Sequence, residues 1–260
     1  MPNLLQFDPN TFLGFVIIFA RITGVMVSAP IFGDATIPNQ VKVGLSLVIS
    51  LVFFPVISAP YLGDNPGLLN LILMLGGELG IGLLIGFSAR MLLAGIEMAG
   101  EVAGFQMGLG IVNVVDPSSQ TQVSLIGQAM IIFATIIFVA LDGHHIFIQA
   151  LASSYDLVAP GALTLSQPAF DHFMLIASRM FLIGLQVGAP LVVALMAANF
   201  AMGLIARSVP QVNIFIVGFP FTIGLGLLFL TLSFPFFAQA VARILGELDV
   251  IILAGMKTLG

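Results

Sequence analysis

The sequence predicts an all-α integral membrane protein built from long, broken helices. Three observations carry that expectation. Of 260 residues, 59% are hydrophobic and only 7% charged, where soluble domains carry about 25% charge. Apolar runs follow one another through short connectors, and three of them exceed the roughly 20 residues of a single bilayer crossing. Ionisable residues sit inside those runs, where contact with lipid would cost several kcal/mol each.

The same composition narrows function. Lys42 and Lys257 are the only lysines, and there is no GxxxxGK[ST] nucleotide loop. Without cysteine there are no disulfides, thiol chemistry or cysteine metal sites. A net charge of −5 argues against nucleic acid as a partner. HExxH, GxSxG and paired intramembrane aspartates are absent, so the chain is read as a non-enzyme with no cofactor. No basic region precedes the first apolar run, so no cleaved signal peptide is expected.

In chain order, Phe12–Ala29 is the first apolar segment, and Arg21 interrupts it. The turn-rich PIFGDATIPNQ (30–40) leads to the second, Val41–Ala59. After the short polar turn 60–67 comes Leu68–Ala99, with Glu78, Arg90 and Glu97 inside it. Val123–Leu141 is the fourth segment, and 142–172 reads as a long connector. Phe173–Ala206 contains Arg179 and Pro190, and RSVPQ (207–211) breaks it from Val212–Ala242, which contains Pro220 and Pro235. Residues 243–260 read as a short amphipathic tail. The third, fifth and sixth segments are too long for one simple crossing, so breaks or paired helices are expected in them. Connectors 60–67, 100–122 and 142–172 carry no Lys or Arg, and the positive-inside rule cannot orient the chain.

The stretch between the third and fourth segments, 100–128, stands apart. Gly100, Gly104 and Gly108 are spaced four apart, Gly110 follows, and Asp116 precedes Pro117. The first part suits a helix with a smooth glycine face. The glycines and the proline then weaken the helix and leave an apolar loop over 105–115. Lipid cannot satisfy such backbone, so it needs protein or trapped water around it.

Arg21, Glu78, Arg90, Glu97, Glu101, Arg179 and Arg207 are therefore expected to face protein or water. Glu97 and Glu101 lie one turn apart on one helix face and repel unless a cation intervenes; Arg21, Arg179 or another subunit would supply it. Packing ion pairs are the preferred reading over a proton relay, because buried charges are usually paired. Glycines four apart recur at 76–80, 82–86 and 184–188, the close-packing pattern of membrane helices. Asp142, His144, His145 and His172 do not make a metal site by spacing, since adjacent histidines diverge and a third ligand would have to come from afar.

GFQMGLGIVNVVDPSSQTQ (104–122) and GLIARSVPQVNIFIVGFPFTIGLGL (203–227) are similar to the signature blocks of the FliR family, the flagellar export-gate subunits related to the T-type component of type III secretion. Arg21-x8-Pro30-x-Phe32-Gly33, followed by Pro38, resembles its N-terminal pattern. The resemblance implies a structural channel subunit in a helical export-gate assembly in the bacterial inner membrane, at the flagellar basal body. It implies FliP- and FliQ-type subunits as ring partners, FlhB- and FlhA-type proteins beside them, membrane lipid around, and unfolded flagellar proteins passing through. It also implies a FliP-like part over 1–207 and a FliQ-like helical hairpin with a tail over 208–260. The plug maps to Phe105, Gln106, Met107, Gly108, Leu109, Gly110, Ile111, Val112, Asn113 and Asp116. The assembly motif maps to Pro210, Gln211, Asn213, Phe215, Gly218 and Pro220. The residues alone also suit a secondary transporter of a small solute, which would purify without partner subunits and take up solute.

Overall fold

A computed structural model describes residues 9–57, 67–110, 124–164, 166–209, 211 and 213–260. Among them are seven α-helices: α1 (Pro9–Ser28), α2 (Asn39–Phe53), α3 (Leu68–Gln106), α4 (Leu125–Ala140), α5 (Gly143–Leu157), α6 (Gln167–Ser208) and α7 (Ile214–Lys257). No strand occurs among the described residues. Four helices are long and apolar enough to cross a membrane: Asn10–Ser28, Leu68–Gln106, Gln167–Ser208 and Ile216–Lys257.

Helix boundaries follow local chemistry. Pro9 opens α1, where a missing N–H costs nothing. Asp34 Oδ1 accepts the Thr36 N–H at 2.8 Å in the turn before α2, and that bond holds the Asp34 carboxyl below its usual range. Ser124 caps α4 by accepting the Gly127 N–H at 3.2 Å. α6 ends at Ser208, with Arg207 in its last turn and Pro210 next, which disfavours helix at Val209.

Three expectations are corrected. The connector 142–172 contains a helix, α5. The long segments are unbroken: α3, α6 and α7 run 39, 42 and 44 residues, continuous through Pro190, Pro220 and Pro235. The break falls between α4 and α5, where Asp142 takes the left-handed conformation (φ 55°). Finally, the stretch after Ser208 holds one helix, with the expected tail as its last turns. Along α6 and α7, residues 172 and 176 share a wall with 255 and 252, 188 and 191 with 234 and 230, and 203 with 218. The two helices thus run antiparallel.

The chain divides into two compact units. The first is Met1–Met91, Asp142–Ile176 and Gly246–Gly260; the second is Leu92–Leu141 and Ala177–Leu245. In the first, α1 and α3 cross at small residues. A Cβ on Gly82 would meet the Gly24 Cα at 2.9 Å, and one on Gly86 would meet the Ala29 N at 2.5 Å. A Cβ on Gly76 or Gly80, the equally spaced pair six residues earlier, would meet no described residue of another element within 4 Å. In the second unit, a Cβ on Gly100 would lie 2.6 Å from the Gly127 Cα of α4, and one on Gly188 would lie 3.3 Å from the Ala99 Cβ. Backbone contact this close needs glycine. Gly127→Leu is expected to pry α4 from α3 and cost about 1–3 kcal/mol, whereas Gly80→Ala should be near neutral; unfolding in detergent micelles compares them.

Candidate functional site

Two clusters gather the residues singled out in the sequence. The first lies in the first unit. Arg21 and Glu78 are fully buried. The Arg21 Nε donates to Glu78 Oε2 at 2.7 Å and Nη2 to Oε1 at 3.1 Å. Nη1 donates to the Ser154 carbonyl and hydroxyl (2.9 and 3.1 Å), and Nη2 also reaches the Val158 carbonyl at 3.0 Å. All five guanidinium N–H groups thus have an acceptor. Glu78 Oε1 accepts a further bond from the Gly161 N–H at 2.7 Å. The Tyr155 ring lies 4.2 Å from the guanidinium carbon, and its hydroxyl donates to the Ile18 carbonyl at 3.1 Å. One ion pair therefore ties α1, α3, α5 and the turn at 158–161 together. With its donors filled, Arg21 is not the cation for Glu97 and Glu101. Ser154, Tyr155 and Val158 lie in the stretch 142–172 that reads as a connector in the sequence.

The remaining interior charges behave differently. Glu97 and Arg179 are half-buried, while Arg90, Glu101 and Arg207 are exposed on this chain.

The second cluster lies in the second unit, where α3 ends. Gly108 has φ +85°. Its N–H donates to the Phe105 carbonyl at 3.0 Å, and the Leu109 N–H donates to the Gly104 carbonyl at 3.1 Å. This is a Schellman stop with glycine at the left-handed position. A helix end leaves carbonyls without helical donors, and two neighbouring helices answer them. Asn199 of α6 donates to the Gln106 carbonyl at 3.3 Å and to its side-chain oxygen at 3.4 Å. The Thr222 hydroxyl of α7 reaches the carbonyls of Met107 (3.1 Å) and Gly218 (3.0 Å). Met107 is fully buried and lies against Gly226, where a Cβ would meet its Cε at 2.7 Å. Phe105 points the other way and is 78% exposed.

Beside this helix end lies a cavity of about 250 Å³ bordered by Gly108, Asn199, Gly203, Gly218 and Phe219. The described start of the first distinctive block, 104–110, therefore meets the second, 203–227, in space. Pro220 sits in the first turns of α7, and Gln211 and Asn213 precede it in the α6–α7 turn. Phe215 falls in the first turn of α7. Ile111, Val112, Asn113, Asp116 and Pro210 lie outside the described residues. Thr222, Phe219 and Gly226 fall inside the second block and Asn199 just ahead of it. The polar Asn199 and Thr222, within apolar runs, were the signal available.

Asp142, His144 and His145 bring one ligand atom each within 4.8 Å of one another. The third ligand sought far away thus stands two residues before the pair. Asp142 Oδ1 lies 4.0 Å from His144 Nε2 and 3.8 Å from His145 Nδ1; Asp142 and His145 are exposed and His144 is half-buried. Exposed groups assemble this way without an ion, and no metal is assigned to them.

The family model for bacterial export proteins, family 1, matches residues 12–248. The chain belongs to that family. Its relatives include the flagellar biosynthetic protein FliR of Bacillus subtilis (strain 168), 30% identical, with 85% of this chain and 86% of the relative covered. FliR of Escherichia coli (strain K12) is 30% identical over 88% of this chain and 87% of its own length. FliR of Pectobacterium carotovorum subsp. carotovorum is 32% identical over 84% and 82%. The match covers both units of this FliR-type export protein, together with the Arg21–Glu78 pair and the end of α3.

Proposed function

We propose that this chain is a structural subunit of the flagellar type III export gate in the bacterial inner membrane at the basal body. In this reading it closes a ring of FliP- and FliQ-type subunits, works beside FlhB- and FlhA-type proteins, and supplies an internal plug for a channel that passes unfolded flagellar proteins. It performs no catalysis. Residues 1–207 are the FliP-like part and 208–260 the FliQ-like part. Pro210, Gln211, Asn213, Phe215, Gly218 and Pro220 contact a neighbouring subunit.

The observation that supports this best is the end of α3. The helix stops at Gly108, is held there by Asn199 and Thr222, and leaves Phe105 exposed. A root anchored in this way gives an apolar loop a fixed origin. Phe105, Leu109, Ile111 and Val112 would exclude water from a constriction. The exposed Glu101 and Arg207 suit a surface that other subunits cover. Deleting Gly108–Val115 is expected to let ions leak through the assembled gate; unchanged membrane conductance together with normal motility would contradict the plug assignment.

A further inference from the structure

The first unit contains a cavity that neither the ion pair nor the plug uses. It measures about 520 Å³ and lies between α3, the start of α6 and the end of α7. Leu84, Phe173, Ile176, Ile252 and Met256 supply apolar wall. The size falls within the about 300–1,000 Å³ of small-ligand sites. Its rim hydroxyls are already engaged: Ser166 donates to the Thr258 carbonyl at 2.8 Å, Thr258 to the Gly255 carbonyl at 2.7 Å and Ser88 to the Leu84 carbonyl at 2.6 Å. His172 differs. It lines the cavity, and its Nε2 is buried without a hydrogen-bond partner among the described residues. A buried polar atom left unmatched is costly unless something in the site answers it. Gly255 permits this placement, since a Cβ there would come within 2.8 Å of that nitrogen.

The geometry points to a binding site for one fatty-acyl chain with an oxygen-bearing head, the chain against the apolar wall and the head oxygen bonded to His172 Nε2. The three walls come from helices apolar enough to cross a membrane, so the ambient apolar solute is lipid. A phospholipid and a free fatty acid share this chemistry. The inference is independent of the export-gate reading.

The chain contains no tryptophan, which makes the test direct. Phe173→Trp puts a single indole on the cavity wall; Phe200→Trp, at a position 71% exposed on the second unit, is the control. Each full-length variant in detergent micelles is titrated with dibrominated phosphatidylglycerol, and separately with dibromostearic acid. Saturable quenching of the cavity-wall indole at about one lipid per chain, with shallow, linear quenching of the control indole, is expected from at least one titrant. The titrant that saturates identifies the source. Filling the cavity with Ser88→Phe, or with Ile252→Phe should the first variant misfold, should abolish the saturable phase. His172→Leu should weaken half-saturation about tenfold, as loss of one buried hydrogen bond does. If the Phe173→Trp variant follows the Phe200→Trp control with both titrants, or if the filled variants still saturate, the proposal is overturned.

Discussion

Replacing Arg21 with Leu is expected to destabilise the chain by about 3–5 kcal/mol, the cost of leaving a buried charge unpaired. Glu78 would lose two guanidinium bonds and keep one from Gly161. The Val158 carbonyl would lose its Arg21 donor, and Tyr155 its stacked cation. Arg21→Lys should recover only part of the loss, because an ammonium cannot fill five donor positions in a plane. Pairing Arg21→Met with Glu78→Leu should recover more than half, since removing both charges removes the desolvation penalty. Denaturant unfolding in detergent micelles, followed by circular dichroism, checks the series. A loss in the double variant equal to the sum of the two single losses would show that the pair contributes nothing as a pair. A proton-relay role is not needed to explain it: every donor on Arg21 is spent on packing.

The second large effect is expected at Gly108. A β-branched residue there would sit at φ +85°, a conformation costing about 1–3 kcal/mol for a non-glycine residue. Its Cβ would also meet the Phe219 ring at 2.5 Å. Gly108→Val should therefore unseat the end of α3 from α7 and shift the loop root. Gly110→Ala makes the contrast: it has no positive φ, and its nearest neighbour is a Phe105 ring atom at 3.3 Å. Thr222→Val, which keeps the shape but removes the hydroxyl near the Met107 carbonyl, should fall between them at about 1 kcal/mol. In cells, ion leakage should rank Gly108→Val over Thr222→Val over Gly110→Ala. Leakage in the reverse order would place the gate elsewhere.

How much of this was legible before the structure depends on the element. The helix-stop at Gly108 was readable because glycine carries a backbone preference wherever it stands. The 82–86 and 100–104 pairs were readable as close-packing positions, although a Cβ at 76 or 80, with the same spacing, meets no described residue of another element. Spacing shows that backbones can approach, not that they do. Helix α5 was missed, yet its buried positions Gly143, Phe147, Ala150, Leu151, Ser154 and Tyr155 recur at helical intervals. Two histidines and the polar 153–156 stretch masked that period. Arg21 was recognisable as needing a partner, but the choice of Glu78 rests on the α1–α3 crossing, which no local signal encodes. The prolines inside α6 and α7 suggested breaks. In apolar surroundings a helix keeps its course past a proline, because leaving backbone unbonded elsewhere costs more.

The central claim is that this chain works as one part of a heteromeric export gate, and a pull-down tests it most directly. The tagged chain would be extracted from its native membrane in mild detergent, and the intact complex weighed by mass spectrometry. Recovery with FliP- and FliQ-type proteins in a fixed ratio is the predicted result. Recovery as a monomer or homodimer, with solute uptake after reconstitution, would contradict the claim and favour a small-solute transporter.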